Sequence, residues 1–202
     1  MKLLSVLSLL SVFTGTEAKV TMGKSCLPFE VQTDFDLNRY KGRWYELYRD
    51  KEFPSEFLGT CGTATYTIRD DGYIDVVNRG WYWWWFFSYY DAVGLANCPD
   101  DDARCTVSFN PFNKDPTKLK EFRNYNVLTT DYENHSIIYT CNEIYGGTAK
   151  QEWVWLLSRE NTMDGDTLAL LMKKLHDVAP DFEFDKQMVY GRHLEEDNCF
   201  YK

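Results

Sequence analysis

With 202 residues, 44% of them hydrophobic and 17% aromatic, the chain is long enough for one domain with an ample core. Its formal charge of −9 argues against nucleic acid as a partner, since that binding needs basic side chains to neutralise phosphate. The same charge disfavours purely electrostatic docking on anionic lipid, and solubility of an exported protein is reason enough for it.

Residues 1–18 read as a signal peptide: Lys2, an apolar stretch from Leu3 to Phe13, then small residues with Thr16 and Ala18 placed for cleavage. The apolar part is too short to span a bilayer. Residues 19–202 then form a single domain. Six cysteines in an exported chain favour disulfides over metal or redox chemistry, though residue types and spacing leave their pairing open. A short extended arm with Cys26 and Pro28 precedes a helical turn at Asp36 to Tyr40. From Trp44 to Arg159 the chain alternates β-rich runs with turn signals, the pattern of an all-β domain. Asp70-Asp71-Gly72 and Tyr132-Glu133-Asn134 read as hairpin turns, as does Cys98 to Asp102. Asn110 to Pro116 reads as a longer loop, and Gly146-Gly147 marks a break. One amphipathic helix follows: Leu168, Leu171, Met172 and Leu175 share a face, Asp164 can cap its start, and Pro180 prevents its continuation.

Three fragments, in this order and after a leader, carry a resemblance: Asn38-Arg39-Tyr40-Lys41-Gly42-Arg43-Trp44-Tyr45-Glu46, Thr130-Asp131-Tyr132, and Trp155-Leu156-Leu157-Ser158-Arg159. Together they resemble the lipocalins, most nearly the apolipoprotein D and bilin-binding branch. The resemblance implies an eight-stranded antiparallel up-and-down barrel with one C-terminal α-helix packed outside. It also implies a cavity for one small hydrophobic molecule. Gly42 to Trp44 would open the first strand at the closed base, Arg159 would stack over Trp44, and Thr130, Asp131 and Tyr132 would form a structural loop at the same end. The branch's cysteine pattern implies Cys26 with Cys141 and Cys61 with Cys199. That leaves Cys98 and Cys105 as a third pair across a short turn.

Within that frame, side chains alternate across each strand, so fixing one fixes its neighbours. If Arg159 faces inward, so do Leu157, Trp155 and Trp153. The corresponding interior places on the next strands are Ala64 and Tyr66, then Val76 and Asn78. Tyr125, Val127 and Thr129 line the strand entering the Thr-Asp-Tyr loop, Ile138 and Thr140 the strand leaving it, and Val107 and Phe109 complete the wall. No Lys or Arg falls on these positions, which disfavours a carboxylate held at depth. An apolar wall with sparse polar groups suits a small-molecule site, although small barrels also fill themselves with their own side chains.

The run from Trp81 to Tyr90 is almost all rings and joins the third and fourth strands of the expected barrel at its mouth. Continued alternation sends Tyr82 and Trp84 towards the cavity and Trp81, Trp83 and Trp85 outward. Covers for the outward rings are packing within a longer hairpin, a lid on the ligand, a membrane surface, or self-association or another partner chain. Catalytic signals are lacking: the histidines are isolated, with no metal-ligand spacing, no nucleophile elbow and no phosphate loop. No cofactor or metal is expected, and the protein reads as a carrier, not an enzyme. Of the rival readings, a lipocalin-type isomerase would need a cysteine where the second strand offers Ala64 and Tyr66, and association through the aromatic run would make the cavity incidental. Asn134-His135-Ser136 is a glycosylation sequon in an exposed turn.

Overall fold

Residues 20–53, 56, 59–82, 88–99, 102–109, 115–116, 119, 123–193 and 199–201 are described by a computed structural model of the chain. Among the described residues ten strands and three α-helices follow one another. The strands are β1 (Val20–Met22), β2 (Gly42–Asp50), β3 (Gly59–Ile68), β4 (Ile74–Tyr82), β5 (Ser88–Asn97), β6 (Arg104–Ser108), β7 (Tyr125–Thr130), β8 (His135–Ile144), β9 (Ala149–Ser158) and β10 (Met188–Tyr190). The helices are α1 (Leu37–Tyr40), α2 (Gly165–Val178) and α3 (Phe184–Gln187).

Each strand from β2 to β9 pairs antiparallel with the next, and β9 pairs back onto β2. That last pairing closes an eight-stranded barrel and removes its open edges. The two short strands were not foreseen from sequence. β1 adds to the first residues of β9, and β10 to the last residues of β2.

Alternation builds the barrel wall. On β3, Ala64 and Tyr66 are buried while Thr65 and Thr67 lie on the other face. On β8 and β9 the alternation is hidden, because both faces are covered. Ile138 and Leu157 join the core inside the barrel. Ile137, Tyr139, Val154 and Leu156 join a second core outside it, against Leu171 and Leu175 of α2. Strands buried on both faces read as continuous apolar runs. The helix begins where expected, with the Asp164 carboxylate accepting from the Thr167 N–H at 2.8 Å, and its apolar stripe packs on the barrel.

All six cysteines are paired, as Cys26–Cys141, Cys61–Cys199 and Cys98–Cys105. Cys61 sits at positive φ within an irregular stretch of β3, and its N–H donates to the Gly191 carbonyl at 2.9 Å. The bridge to Cys199 thus straps the C-terminal segment across the start of β3.

One inward assignment changes, and one inward residue is added. A register shift between Val127 and Thr129 pairs Thr129 with Ile137, a residue of the outer core, so Thr129 does not line the interior. A second shift between Glu46 and Tyr48 sends Tyr48 outward onto Phe184 and Tyr190 and brings Arg49 inside. The interior therefore does hold a cation.

Candidate functional site: floor and mouth of the barrel

The closed end is built around Trp44, which is fully buried. Asp36 caps α1 by accepting from the Asn38 and Arg39 N–H groups, and α1 places Tyr40 beneath the barrel. The Trp44 Nε1–H donates to the Tyr40 carbonyl at 2.8 Å. Arg159 lies over the indole, its Cζ 3.8 Å from the ring centroid. Its guanidinium donates to the carbonyls of Tyr132, Arg43, Arg39, Tyr40 and Lys41 at 2.7–3.1 Å. A planar fork with five donors suits this role; an ammonium could not span so many acceptors. Gly42, at φ 96°, takes a backbone conformation that residues with a side chain rarely adopt.

Thr130, Asp131 and Tyr132 hold the adjoining turn. The Thr130 hydroxyl donates to the His135 carbonyl and accepts from the Tyr132 N–H. Asp131 accepts from the N–H groups of Glu133, Asn134 and His135 and from the Asn134 amide. Partial burial alone would raise its carboxyl, but these donors win and hold it at about 2. The bonds of Thr130 and Asp131 thus stay within the turn itself.

Above Trp44 the interior is filled. Ala64, Tyr66, Val76, Val127, Ile138 and Leu157 belong to one packed cluster with Phe35, Tyr40 and Trp44. The Tyr66 and Tyr125 hydroxyls lie 2.8 Å apart, Tyr125 and Tyr40 3.0 Å, and Tyr40 and Ser136 3.1 Å. Burial pushes all three phenols up, that of Tyr40 to about 12. Tyr66 and Tyr125 were expected to offer hydroxyls to a ligand; here the hydroxyls satisfy one another. The barrel is not hollow to its base.

The upper half differs. Arg49, Glu46, Glu56, Asn78 and Tyr82 line a small polar cleft there. Arg49 Nη2 donates to the Glu56 and Gly59 carbonyls at 2.7 and 2.9 Å. The Trp155 Nε1–H donates to Glu56 Oε2 at 2.9 Å. Phe53 stands edge-on to Trp153 and Trp155, with centroids 5.0 and 4.9 Å away. The Tyr82 ring lies against Gly59 and Gly80, where any Cβ would collide with it. Burial, then the charge of Glu56, pushes the Glu46 carboxyl well above the usual range; burial likewise raises Glu56.

On the facing wall Tyr90 pairs with Gly80 and Gly94 with Val76, so both have interior parity. The Phe109 ring covers Gly94. Yet Tyr90 is 39% exposed and Phe109 42%. The mouth side of the wall is therefore open to solvent, and it is apolar. Of the expected lining, Asn78, Tyr82, Trp155 and Phe109 border this open half. Trp84 and the rest of Trp83 to Phe87 lie outside the described residues, as do residues 1–18. Sequence reading missed Glu46, Arg49, Phe53 and Glu56. Glu46 is two residues from Trp44, so alternation could have found it. Arg49 is inward only through the bulge, and Glu56 and Phe53 come from a connection with no strand periodicity.

No group of His, Cys, Asp and Glu suited to a metal occurs among the described residues. No described helix is long and apolar enough to cross a membrane.

A closed up-and-down barrel of this kind, with a helix on its flank and a floor sealed by an Arg–Trp stack, defines a class of cup-shaped proteins. The lipocalin-like domain family matches residues 35–184, and the chain belongs to it. Apolipoprotein D of Macaca fascicularis is 29% identical over 208 residues, covering 98% of this chain and 97% of that protein. The Lazarillo protein of Schistocerca americana is 29% identical over 180 residues, covering 88% and 78%. Among solved structures, insecticyanin of the tobacco hornworm Manduca sexta superposes with a TM-score of 0.70 at 21% identity, covering 92% and 94%. Lobster apocrustacyanin A1 gives 0.62 at 16%, covering 85% and 89%; at such identities these two likenesses speak for the fold. The chain stands with these non-enzymatic relatives, and pairing of all six cysteines leaves no thiol nucleophile.

Proposed function

We propose that the protein is an exported carrier that holds a small hydrophobic molecule in the upper half of its barrel, between the mouth and the tyrosine cluster. The observation that carries this reading is the solvent access of Tyr90 and Phe109, two rings on the inner wall. An apolar ligand covering them removes hydrocarbon surface from water at about 25 cal/mol per Å². Asn78 and Tyr82 line the cleft on the neighbouring strand, Trp155 bonds Glu56 at its edge, and these groups would supply polar edges for orientation. Val76, Ala64, Tyr66, Tyr125, Val127, Ile138 and Leu157 form the base on which the ligand rests. Lipid, sterol, retinoid, carotenoid and bilin are the candidate classes.

Export through a leader at residues 1–18 agrees with three disulfides. Asn134 is exposed in its sequon, and a glycan there would displace the bond from its amide to Asp131 at 2.7 Å. Native mass spectrometry with absorption spectroscopy on protein purified from its source tests the reading. A co-purifying lipid or chromophore, lost when Phe109 is changed to Asp, is the expected result. Protein that emerges empty and fails to quench its tryptophan fluorescence with any apolar probe would refute it.

A further inference from the structure

In the upper cleft two carboxylates share one guanidinium, and neither is within good hydrogen-bond distance of it. The Arg49 side chain is only 4% exposed, and its Nη2 is already directed at two backbone carbonyls. Its Nε lies 3.7 Å from Glu46 Oε1 and 4.0 Å from Glu56 Oε2, too far for a good hydrogen bond to either. The Glu46 and Glu56 side chains are each 13% exposed. Trp155 satisfies one oxygen of Glu56. Among the described residues none donates a hydrogen bond to the Glu46 carboxylate. The Asn78 Oδ1 on the same cleft is buried and has no hydrogen-bond partner. Arg79 also borders the cleft; its Nη1 bonds Asp91 at 2.8 and 3.0 Å and its guanidinium lies over the Tyr89 ring, while its Nε is buried without a hydrogen-bond partner.

The group that would complete this arrangement is a hydrogen-bond donor carrying positive charge. Burying two carboxylates beside one guanidinium is costly, and burial raises both the Glu46 and the Glu56 carboxyls although Arg49 opposes it. The rings of Phe53, Trp153 and Trp155 stand together beside Glu56, the surroundings in which a desolvated cation gains from aromatic faces. We infer that the upper cleft selects ligands with an ammonium head on an apolar body, the head seated among Glu46, Glu56 and the Asn78 carbonyl. The inference rests on the carrier reading above and adds to it the charge of the ligand.

Three probes with one hydrocarbon chain separate the two ideas: decylammonium, decanol and decanoate, each titrated into the native protein below its aggregation concentration and followed by tryptophan fluorescence and calorimetry. Decylammonium is expected to bind at least tenfold more tightly than decanol, with decanoate weakest. Glu46→Gln and Glu56→Gln, which keep the side-chain shape, should each reduce the ammonium-to-alcohol ratio at least fivefold. Asp75→Asn, on the outer face of β4, should leave the ratio as it is. Decanol or decanoate binding within threefold of decylammonium, or a ratio that survives both glutamine variants, overturns the inference and leaves the carrier reading standing. If none of the three probes binds, the carrier reading fails, and this inference with it.

Discussion

The floor and the mouth of the barrel both place polar groups in an apolar interior, and they treat them in opposite ways. At the floor every donor meets an acceptor: the hydroxyls of Tyr40, Tyr66, Tyr125 and Ser136 form one chain, and Arg159 closes five carbonyls. At the mouth two carboxylates lie beyond good hydrogen-bond distance of their shared guanidinium, and the Asn78 oxygen and Arg79 Nε are buried without partners. Satisfied networks fix a structure, whereas an unsatisfied one marks where something else binds. The same strand, β2, serves both: Trp44 near its start is sealed into the floor, and Glu46 and Arg49 further along face the cleft.

The contrast can be broken most severely at the floor. Arg159→Ala removes the stack on Trp44 and leaves carbonyls without donors. A loss of about 3–5 kcal/mol in urea unfolding is expected. A loss below about 1 kcal/mol would show that the cap is ornamental. Tyr125→Phe deletes the central hydroxyl of the chain and leaves that of Tyr66 without its partner, for a cost of about 1–3 kcal/mol. At the mouth the effects on stability shrink and those on binding grow. Trp155→Phe withdraws the N–H from Glu56 and should cost about 1.5 kcal/mol, while changing probe affinity more than Tyr125→Phe does. Glu46→Gln should leave stability at neutral pH unchanged or raise it by up to about 1 kcal/mol, since burial and the neighbouring Glu56 already disfavour the ionised carboxylate despite Arg49.

The pH dependence sharpens the same point. Glu46 has its folded-state carboxyl raised, so its contribution to stability is complete below the ordinary carboxylate range and is lost as pH rises through the raised value. Asp131 works in the other direction. Held at about 2, it contributes above the ordinary carboxylate value, and that contribution is lost as pH falls towards 2. Stability should therefore decline from weakly acidic towards neutral pH, and Glu46→Gln should flatten that decline without altering the acid limb. Urea midpoints measured across the range check both limbs.

The floor was legible in the sequence because its residues depend on local spacing and on one long-range pair. Gly42 and Trp44 open β2, Arg159 follows Leu157 by two residues, and the Thr130 to Tyr132 turn bonds within itself. The amphipathic face of α2 was equally plain, since Leu171 and Leu175 follow helical spacing and no bulge disturbs it. Thr129 was misplaced and Arg49 missed for a single reason: one irregular residue in a strand reverses the side of every residue after it. Tyr66 and Tyr125 were placed inside correctly, yet nothing in the sequence indicated that their hydroxyls would meet each other before any ligand. That depends on how β3 and β7 face one another across the barrel.

The order of residues by itself determined the all-β course of the chain, the flanking helix and the Arg–Trp seal, because periodicity and short motifs encode them directly. Only the closed tertiary structure decided how deep the cup is and what charge stands at its mouth. Bulges in β2 and β7, the connection that delivers Phe53 and Glu56, and the meeting of three phenols across the barrel are consequences of packing. They exist once all eight strands have closed, and no shorter stretch of the chain contains them.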